Sequence, residues 1–206
     1  MAGTSRTLWV GLGVIGVLGA AMIAPGRARR TAQQPGYEVI DRLSGEIVVR
    51  RYGARLAYET VMGGVMDSAF RRLAAFIFGD NRGANGKPAK IAMTVPVEVG
   101  PIGIGRSQIM RFFAPEPFTR ETLPTPLDAS VRVVDVPTET LAVKRFAGSG
   151  SGDAAAHRRA ELLDGLTGTA WMADGDPAMF LYDAPWVPVP LRRSEVVVRV
   201  RRVDGK

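Results

Sequence analysis

Residues 66–79, MDSAFRRLAAFIFG, decide the expected fold because they predict a helix with one apolar face. Apolar side chains recur there at spacings of three and four residues, which is the period of a helix surface. Gly79 follows as a residue type that commonly ends helices. The apolar stripe consists of Met66, Ala69, Phe70, Leu73, Ala74 and Ile77. We expect this stripe to pack against a sheet built by the neighbouring segments.

Strand patterns flank this helix, and the same arrangement returns further along the chain. Two predicted strands, residues 47–52 and 56–61, precede the helix, and residues 91–99 and 108–114 follow it. The second set comprises strands 131–136 and 140–146, a helix with Ala156, Ala160, Leu163 and Leu166 on one side, and strands 179–182 and 195–203. The repeated order predicts an α+β fold, a distorted antiparallel β-barrel with two helices packed outside.

The first 35 residues differ from the rest of the chain. Residues 8–24 form a nearly unbroken apolar run, about 25 Å long as a helix, and residues 27–36 form a polar spacer. We expect an N-terminal apolar helix that anchors the protein in a membrane with a single pass. The alternative is a cleaved signal peptide, which would make the protein exported or periplasmic. The expected division is therefore residues 1–35 as anchor or signal and residues 36–206 as one domain.

Charge and composition exclude several classes of function. Cysteine is absent, which removes disulfides, thiolate catalysis and cysteine metal sites. Of the net charge of +7, four units come from arginines before residue 35, and the remaining +3 alternates with acidic residues. We interpret this as a mixed solvated surface rather than a nucleic-acid-binding face. Oligomeric state is not indicated by any pattern in the chain.

The single histidine, His157, is expected on the polar side of the second helix. Glu161 and Asp164 lie four and seven residues later, so they share its face. We interpret it as a surface histidine, with an iron or metal ligand as the alternative. The sequence also lacks a nucleophile elbow, so no serine triad is predicted, and it does not supply the several ligands that zinc requires.

Two segments combine prolines with residues that could form a pocket. Residues 90–97, KIAMTVPV, place Met93 and Pro96 in a predicted strand, which indicates a sheet edge or bulge. Residues 182–193, YDAPWVPVPLRR, place three prolines next to Trp186 and end in Arg192 and Arg193. Edge-strand architecture accounts for both segments. The functional alternative is the rim of an apolar pocket whose cations meet acid groups.

These segments resemble the central signature of the SOUL heme-binding proteins. The matching residues are 37–39, 48–52, 70–73, 77–79, 90–97, 121–124, 145–148 and 182–193, in the family's order. The resemblance implies a distorted antiparallel barrel with two flanking helices. It also implies binding of heme or another porphyrin against the first helix, with basic groups near the propionates.

On that resemblance, the expected cofactor-binding residues are Met62, Met66, Phe70, Leu73, Met93, Arg192 and Arg193. Some family members are credited with a histidine iron ligand in the early strands, but this chain has no histidine before His157. We therefore expect heme without a histidine axial ligand, held by apolar contact or weakly ligated by a methionine or tyrosine. No catalytic residue and no metal site are predicted.

Three functions compete at this point. The first is a non-catalytic binder or carrier of heme or porphyrin at or beyond a membrane. The second is a small-molecule enzyme resembling a hydrolase, for which Glu59, Glu98 and Tyr182 could supply acid-base groups, although no spacing brings them together. The third is an interaction module whose pocket is vestigial.

Overall fold

The protein is built from two helices and twelve strands in the parts that the computed structural model describes, residues 32–63, 66–101, 108–184 and 186–203. The helices are α1 (Met66–Phe78) and α2 (Gly152–Asp164), and a 3₁₀ turn covers Val189–Leu191. The strands are β1 (Tyr37–Arg42), β2 (Ile47–Tyr52), β3 (Arg55–Met62), β4 (Asn81–Arg82), β5 (Val97–Pro101), β6 (Gln108–Phe113), β7 (Thr125–Pro126), β8 (Val131–Val136), β9 (Glu139–Ala147), β10 (Trp171–Ala173), β11 (Ala178–Leu181) and β12 (Arg193–Arg202).

Ten strands form one sheet in which each named pair is antiparallel. The order is β1-β2-β9-β12-β11-β5-β6-β3-β8, and β10 pairs with the end of β12. The order is symmetric about the central β5–β11 pair. Moving outward, β6 corresponds to β12, β3 to β9 and β8 to β2. Each half therefore supplies two strands, a helix and two strands, and its first strand joins the other half of the sheet. This is the repeated order that the sequence predicts.

The expected antiparallel sheet with two helices is confirmed, but the described strands do not close into a barrel. Within the described strands, the path ends at β1 on one side and at β8 on the other, and these two do not pair. β1 is mostly exposed, and its register shifts between Val39 and Asp41. A short, bulged strand with charged side chains is a poor partner for a further strand, which explains why the sheet stops there.

Both helices cover the same face of the sheet. The larger apolar core joins side chains of α1 and α2 to alternate residues of the strands, among them Val97, Val99 and Phe112. A second core, with Phe113, Phe180 and Val197, lies on the other face and contains no helix residue. Neighbouring strand residues point to opposite faces, which accounts for this division. We call the second side the open face.

The apolar stripe of α1 is largely confirmed, whereas the predicted stripe of α2 is wrong. The residues of α1 that the sheet buries are Ala69, Leu73, Phe76 and Ile77. In α2 the buried residues are Ala155 and Leu162, while Ala156, Ala160 and Leu163 are exposed and Leu166 is buried beyond the helix end. An ion pair explains the rotation, because Lys144 Nζ of β9 lies 2.9 Å from Glu161 Oε2 and draws that polar residue towards the sheet.

The predicted strand over residues 91–99 begins only at Val97. Before Val97, the chain makes hydrogen bonds to α1 and to the end of β6 rather than to a neighbouring strand along a ladder. Ile91 N donates to Ile77 O at 2.8 Å, and Thr94 Oγ1 donates to Phe113 O at 2.7 Å. Pro96 has no N–H to contribute to a sheet ladder, which fits this late start.

The predicted N-terminal apolar helix lies outside the described residues. Among the helices that are described, neither is long and apolar enough to span a bilayer.

Candidate functional site

A row of charged side chains crosses the open face of the sheet. Directly opposite residues on paired strands share a face, so the strand register identifies the members of the row. From β8 to β9 they are Arg132, Glu59, Arg111, Glu98, Phe180, Glu195 and Arg145. Signs alternate along the row, with Phe180 between the two halves. This is the principal polar feature of a face that otherwise buries apolar side chains.

In the first half, every charge of this row has a partner. Arg111 donates to Glu59 Oε2 at 2.6 Å and to Glu98 Oε2 at 3.0 Å. Arg132 donates to Glu59 Oε1 at 3.0 Å. Burial raises the pKa of Glu98, although Arg111 opposes the shift. The first half therefore neutralises its own buried charge.

In the second half, one carboxylate serves three donors. Glu195 is completely buried and accepts from Arg50 at 3.0 Å, from Arg193 at 2.8 Å and from the hydroxyl of Tyr182 at 2.8 Å. Burial alone would raise the pKa of Glu195, but the charge of Arg50 and these hydrogen bonds hold it below its usual value. Arg145, the neighbour of Glu195 in the row, is exposed and has no ion-pair partner within the described ranges.

A cavity of about 530 Å³ lies over this cluster, and we call it the arginine cleft. Its lining comprises Glu46, Val48, Arg50, Val143, Arg145, Phe146, Ala147, Leu191, Arg192 and Arg193. With Glu195 and Asp183 included, the latter accepting from Arg193 N at 2.7 Å, four arginines face three carboxylates, which leaves a net charge of +1. The Nε atom of Arg50 is buried without a hydrogen-bond partner. The cleft thus combines apolar walls with an excess of guanidinium groups, the chemistry that binds carboxylates.

A second cavity of about 530 Å³ lies where the two halves meet at β5 and β11. We call it the junction cavity. Its charged lining residues are Glu98, Glu139, Asp174 and Asp176 against Arg111 and Arg199, so its sign is opposite to that of the arginine cleft.

Four of the predicted cofactor residues lie along α1, but they do not form one open groove. Leu73 is wholly buried in the core, so it offers no surface to a ligand. Phe70 is half-buried, with its ring 5.4 Å from that of Phe112. Met62 ends β3 and Met66 begins α1, and both pack at the edge of the core.

Met93 lies near the opposite end of α1. The hydrogen bonds of Ile91 to Ile77 and of Thr94 to Phe113 place the intervening chain beside the last turn of the helix. Met66 begins the same helix, twelve residues before its end at Phe78. At 1.5 Å per residue the two ends of α1 are about 18 Å apart. The structure therefore does not bring Met93 together with Met62 and Met66.

Arg192 and Arg193 lie away from α1 altogether, in the arginine cleft. Arg193 begins β12, which is four strands from β3, or about 19 Å across the sheet. Its guanidinium lies 3.8 Å from the centroid of the Tyr182 ring, and Arg192 Nε donates to Val187 O at 2.7 Å. The predicted methionines and arginines thus occupy different faces of the molecule, so one ligand could not contact both sets.

His157 is confirmed as a surface residue. Its side chain is 72% exposed and pairs with Glu161 at 3.0 Å. Within the described ranges, no three side chains of the metal-binding types are grouped closely enough to hold an ion.

The three acid-base candidates also separate. Glu59 and Glu98 do meet, through Arg111, although their spacing in the sequence does not suggest it. Tyr182 instead donates to Glu195 in the other half, and burial raises the pKa of its hydroxyl. The three residues therefore do not converge on one reacting centre.

Sequence reasoning missed the residues that build the arginine cleft apart from Arg192 and Arg193. The signal was present, because Arg50 and Glu195 are charged residues next to valine runs, in IVVRRY and SEVVV. Charged side chains at buried strand positions generally require partners. Only the pairing of β2, β9 and β12 shows that they meet one another.

Comparisons with known proteins support this description of the fold. The model of the SOUL heme-binding protein family matches residues 32–199. The C-terminal domain of EcmrR is similar, with a TM-score of 0.56 and 11% identity over 81% of this chain and 99% of that one. A hydrolase from Listeria innocua has a TM-score of 0.52 and 13% identity, over 74% and 91% respectively. At such identities the likeness concerns the fold alone. No curated protein sequence matches the chain.

Proposed function

The chain belongs to the SOUL heme-binding protein family, and we propose that it binds heme or another porphyrin as a non-catalytic carrier. The observation that carries this proposal is the arginine cleft. A porphyrin such as heme is an apolar ring with two carboxylates, and the cleft offers apolar side chains together with more arginines than carboxylates. Its volume lies within the range of about 300–1,000 Å³ that is typical of small-molecule sites.

The roles of the side chains follow from their positions. Arg145 is exposed and unpaired in the described chain, so it can meet a carboxylate without losing an existing ion pair. Arg192 and Arg193 border the same space, while Val48 and Leu191 supply apolar contact. Glu195 holds Arg50 and Arg193 in place from below. Guanidinium groups fixed in this way can bind carboxylates through paired hydrogen bonds.

Among the described residues, those that line the cleft include no histidine and no methionine that could ligate iron. His157 is on α2, on the opposite face of the sheet. Binding would therefore depend on apolar area and on the carboxylates, with porphyrin as cargo. Iron-free protoporphyrin is then expected to bind about as tightly as hemin.

Titration of the detergent-solubilised full-length protein with hemin tests the proposal. Arg145→Glu is expected to lower hemin affinity about tenfold, since charged hydrogen bonds contribute roughly 1.5–3 kcal/mol. Arg71→Glu is the matched control, because it reverses an exposed arginine on the outer side of α1, away from the cleft. A strong loss with Met66→Asp and none with Arg145→Glu would place the ligand along α1 instead.

We also propose that residues 8–24 hold the protein at a membrane, as their apolar character suggests. Carbonate-washed membranes should retain the intact chain. Recovery of a mature protein beginning near Met22 would replace the anchor with a cleaved signal.

A further inference from the structure

Exposed apolar side chains gather around the arginine cleft. Of the eleven large hydrophobic residues that are exposed in the described chain, Leu191 lines the cleft, and Tyr37 and Val39 lie beside its Arg50. Two more, Trp186 and Val189, are on the loop that carries Leu191. Trp186 is 60% exposed and Leu191 is 61% exposed, which is unusual for side chains of this size. Single exposed hydrophobic residues are ordinary on a protein surface, but a group beside one cavity marks an interaction site.

Contacts tie three of these residues to the cleft. The Tyr37 ring lies 4.4 Å from the guanidinium carbon of Arg50, and Val39 is the cross-strand neighbour of that arginine. On the other side, Leu191 lines the cleft directly. We call these five residues, together with Arg145 and Arg192, the docking face.

The loop that carries Trp186, Val189 and Leu191 is held in shape. Val187 N donates to Ala184 O at 3.0 Å, Leu191 N to Pro188 O at 2.9 Å, and Arg192 N to Val189 O at 3.1 Å. Pro188 and Pro190 fix the backbone further. The exposed side chains are therefore presented by a preorganised loop, and ordering them on binding costs little conformational entropy.

We propose that the docking face rests on the surface of an anionic lipid bilayer. Tryptophan is enriched where apolar chains meet head groups, and valine and leucine next to it can enter the acyl boundary. Arg145, which lacks an ion-pair partner in the described chain, and Arg192 lie beside them with the charge that anionic phosphate attracts. We choose a bilayer over a protein partner because the apolar run of residues 8–24, which we propose holds the chain at a membrane, brings this face close to lipid. The proposal does not depend on porphyrin binding.

Such docking would open the arginine cleft towards the bilayer. Leu191 belongs both to the docking face and to the wall of the cleft, so the mouth of the cavity would lie at the lipid head groups. The apolar run of residues 8–24 would keep the domain close enough to the membrane for a weak surface contact to form often. The docking contact would then set the orientation of the domain.

Fluorescence quenching in vesicles tests this proposal without any porphyrin. The full chain carrying Trp9→Phe is reconstituted in vesicles of phosphatidylcholine with brominated acyl chains. One set of vesicles also contains phosphatidylglycerol, and the other does not. Trp186 reports contact, because Trp171 is buried and donates to Asp41 at 2.9 Å. A Trp186→Phe variant supplies the blank. Trp186 is expected to be quenched, and more strongly in the anionic vesicles.

Matched variants make the outcome specific. Leu191→Ser should lower the ratio of quenched to unquenched Trp186 about tenfold. This factor corresponds to the free energy of transferring one leucine side chain from water into an apolar environment. Arg145→Gln should lower it about fivefold in anionic vesicles only. Leu127→Ser is the control, since Leu127 is 55% exposed on the other half of the molecule. The proposal would be overturned if Trp186 is not quenched, or if Leu127→Ser has the same effect as Leu191→Ser. It would also be overturned if Trp186 is shielded only because copies of the protein associate with one another.

Discussion

In the first half of the sheet Arg111 lies between Glu59 and Glu98, whereas in the second half Glu195 lies beneath Arg50 and Arg193. The strand order is the same in both halves, but the balance of charge differs. One arginine holds two carboxylates in the first case, and one carboxylate holds two arginines in the second. A repeated fold can therefore present a neutral buried row on one side and a cationic cleft on the other.

The helices differ in a related way. α1 buries four apolar residues against the sheet, whereas α2 buries two within its length. The second helix is held partly by charge, because Glu161 pairs with Lys144 of β9 and with Arg158. The half with more polar helix packing is also the half that carries the arginine cleft. Apolar packing thus contributes more to the first half, and ion pairs contribute more to the second.

Removal of the carboxylate of Glu195 should have the largest effect on stability. Glu195→Gln leaves the buried charge of Arg50 without its counter-ion, and a broken buried pair costs about 3–5 kcal/mol. Glu98→Gln is expected to cost clearly less, because Glu59 still pairs with Arg111. Free energies of unfolding from urea titrations compare the two. Equal losses would mean that the halves do not differ in how they balance charge.

Substitutions on the helices should sharpen the second contrast. Phe70→Asp places a carboxylate against Phe112 and is expected to cost about 3 kcal/mol. Leu163→Asp should cost much less, since Leu163 of α2 is exposed. Arg71→Asp, on the outer side of α1, provides a control within the same helix. If Leu163→Asp lowers the melting temperature as much as Phe70→Asp, then the helix phase seen in α2 is incorrect.

Local patterns predicted much of the fold. The spacing of Leu73 and Ile77 located the buried side of α1, and valine-rich alternation located β2, β8 and β12. The error in α2 has a definite cause. Glu161 looks like a solvent-facing residue in the sequence, but its partner Lys144 comes from another element. The helical spacing of apolar residues contains no information about an ion pair with a residue seventeen positions away in another element.

The site was less predictable than the fold for the same reason. Arg192 and Arg193 were recognised from the chain, but Arg50, Arg145 and Glu195 were not, because their association depends on the pairing of β2, β9 and β12. Whether the sheet closes into a barrel could not be predicted, because closure depends on how the edge strands pair. The edge strand β1 carries a bulge that the sequence does not reveal. Long-range pairing is the information that local periodicity lacks.

The pH dependence of stability should differ in sign between Glu98 and Glu195. Burial raises the pKa of Glu98 above 4.5, so its ionisation opposes folding and stability is lost as the pH rises through that raised value. The pKa of Glu195 is lowered, so its contribution is present above the unfolded value and is lost as the pH falls. Relative to Glu98→Gln, the wild type should therefore lose stability on going from pH 4.5 towards neutrality. Parallel curves for the two proteins in urea titrations would contradict this.

The smallest expected effect is that of His157→Ala on porphyrin binding. His157 is on α2, which covers the face of the sheet opposite the arginine cleft, and its imidazole already pairs with Glu161. It is not among the residues that line the cleft, so hemin affinity should change by less than about threefold, equivalent to under 1 kcal/mol. Iron-free protoporphyrin should behave like hemin in the same titration. A sharp low-spin heme spectrum that disappears in His157→Ala would instead make this histidine an axial ligand. The porphyrin would then belong on the helix-covered face, and the positive charge of the cleft would need another explanation.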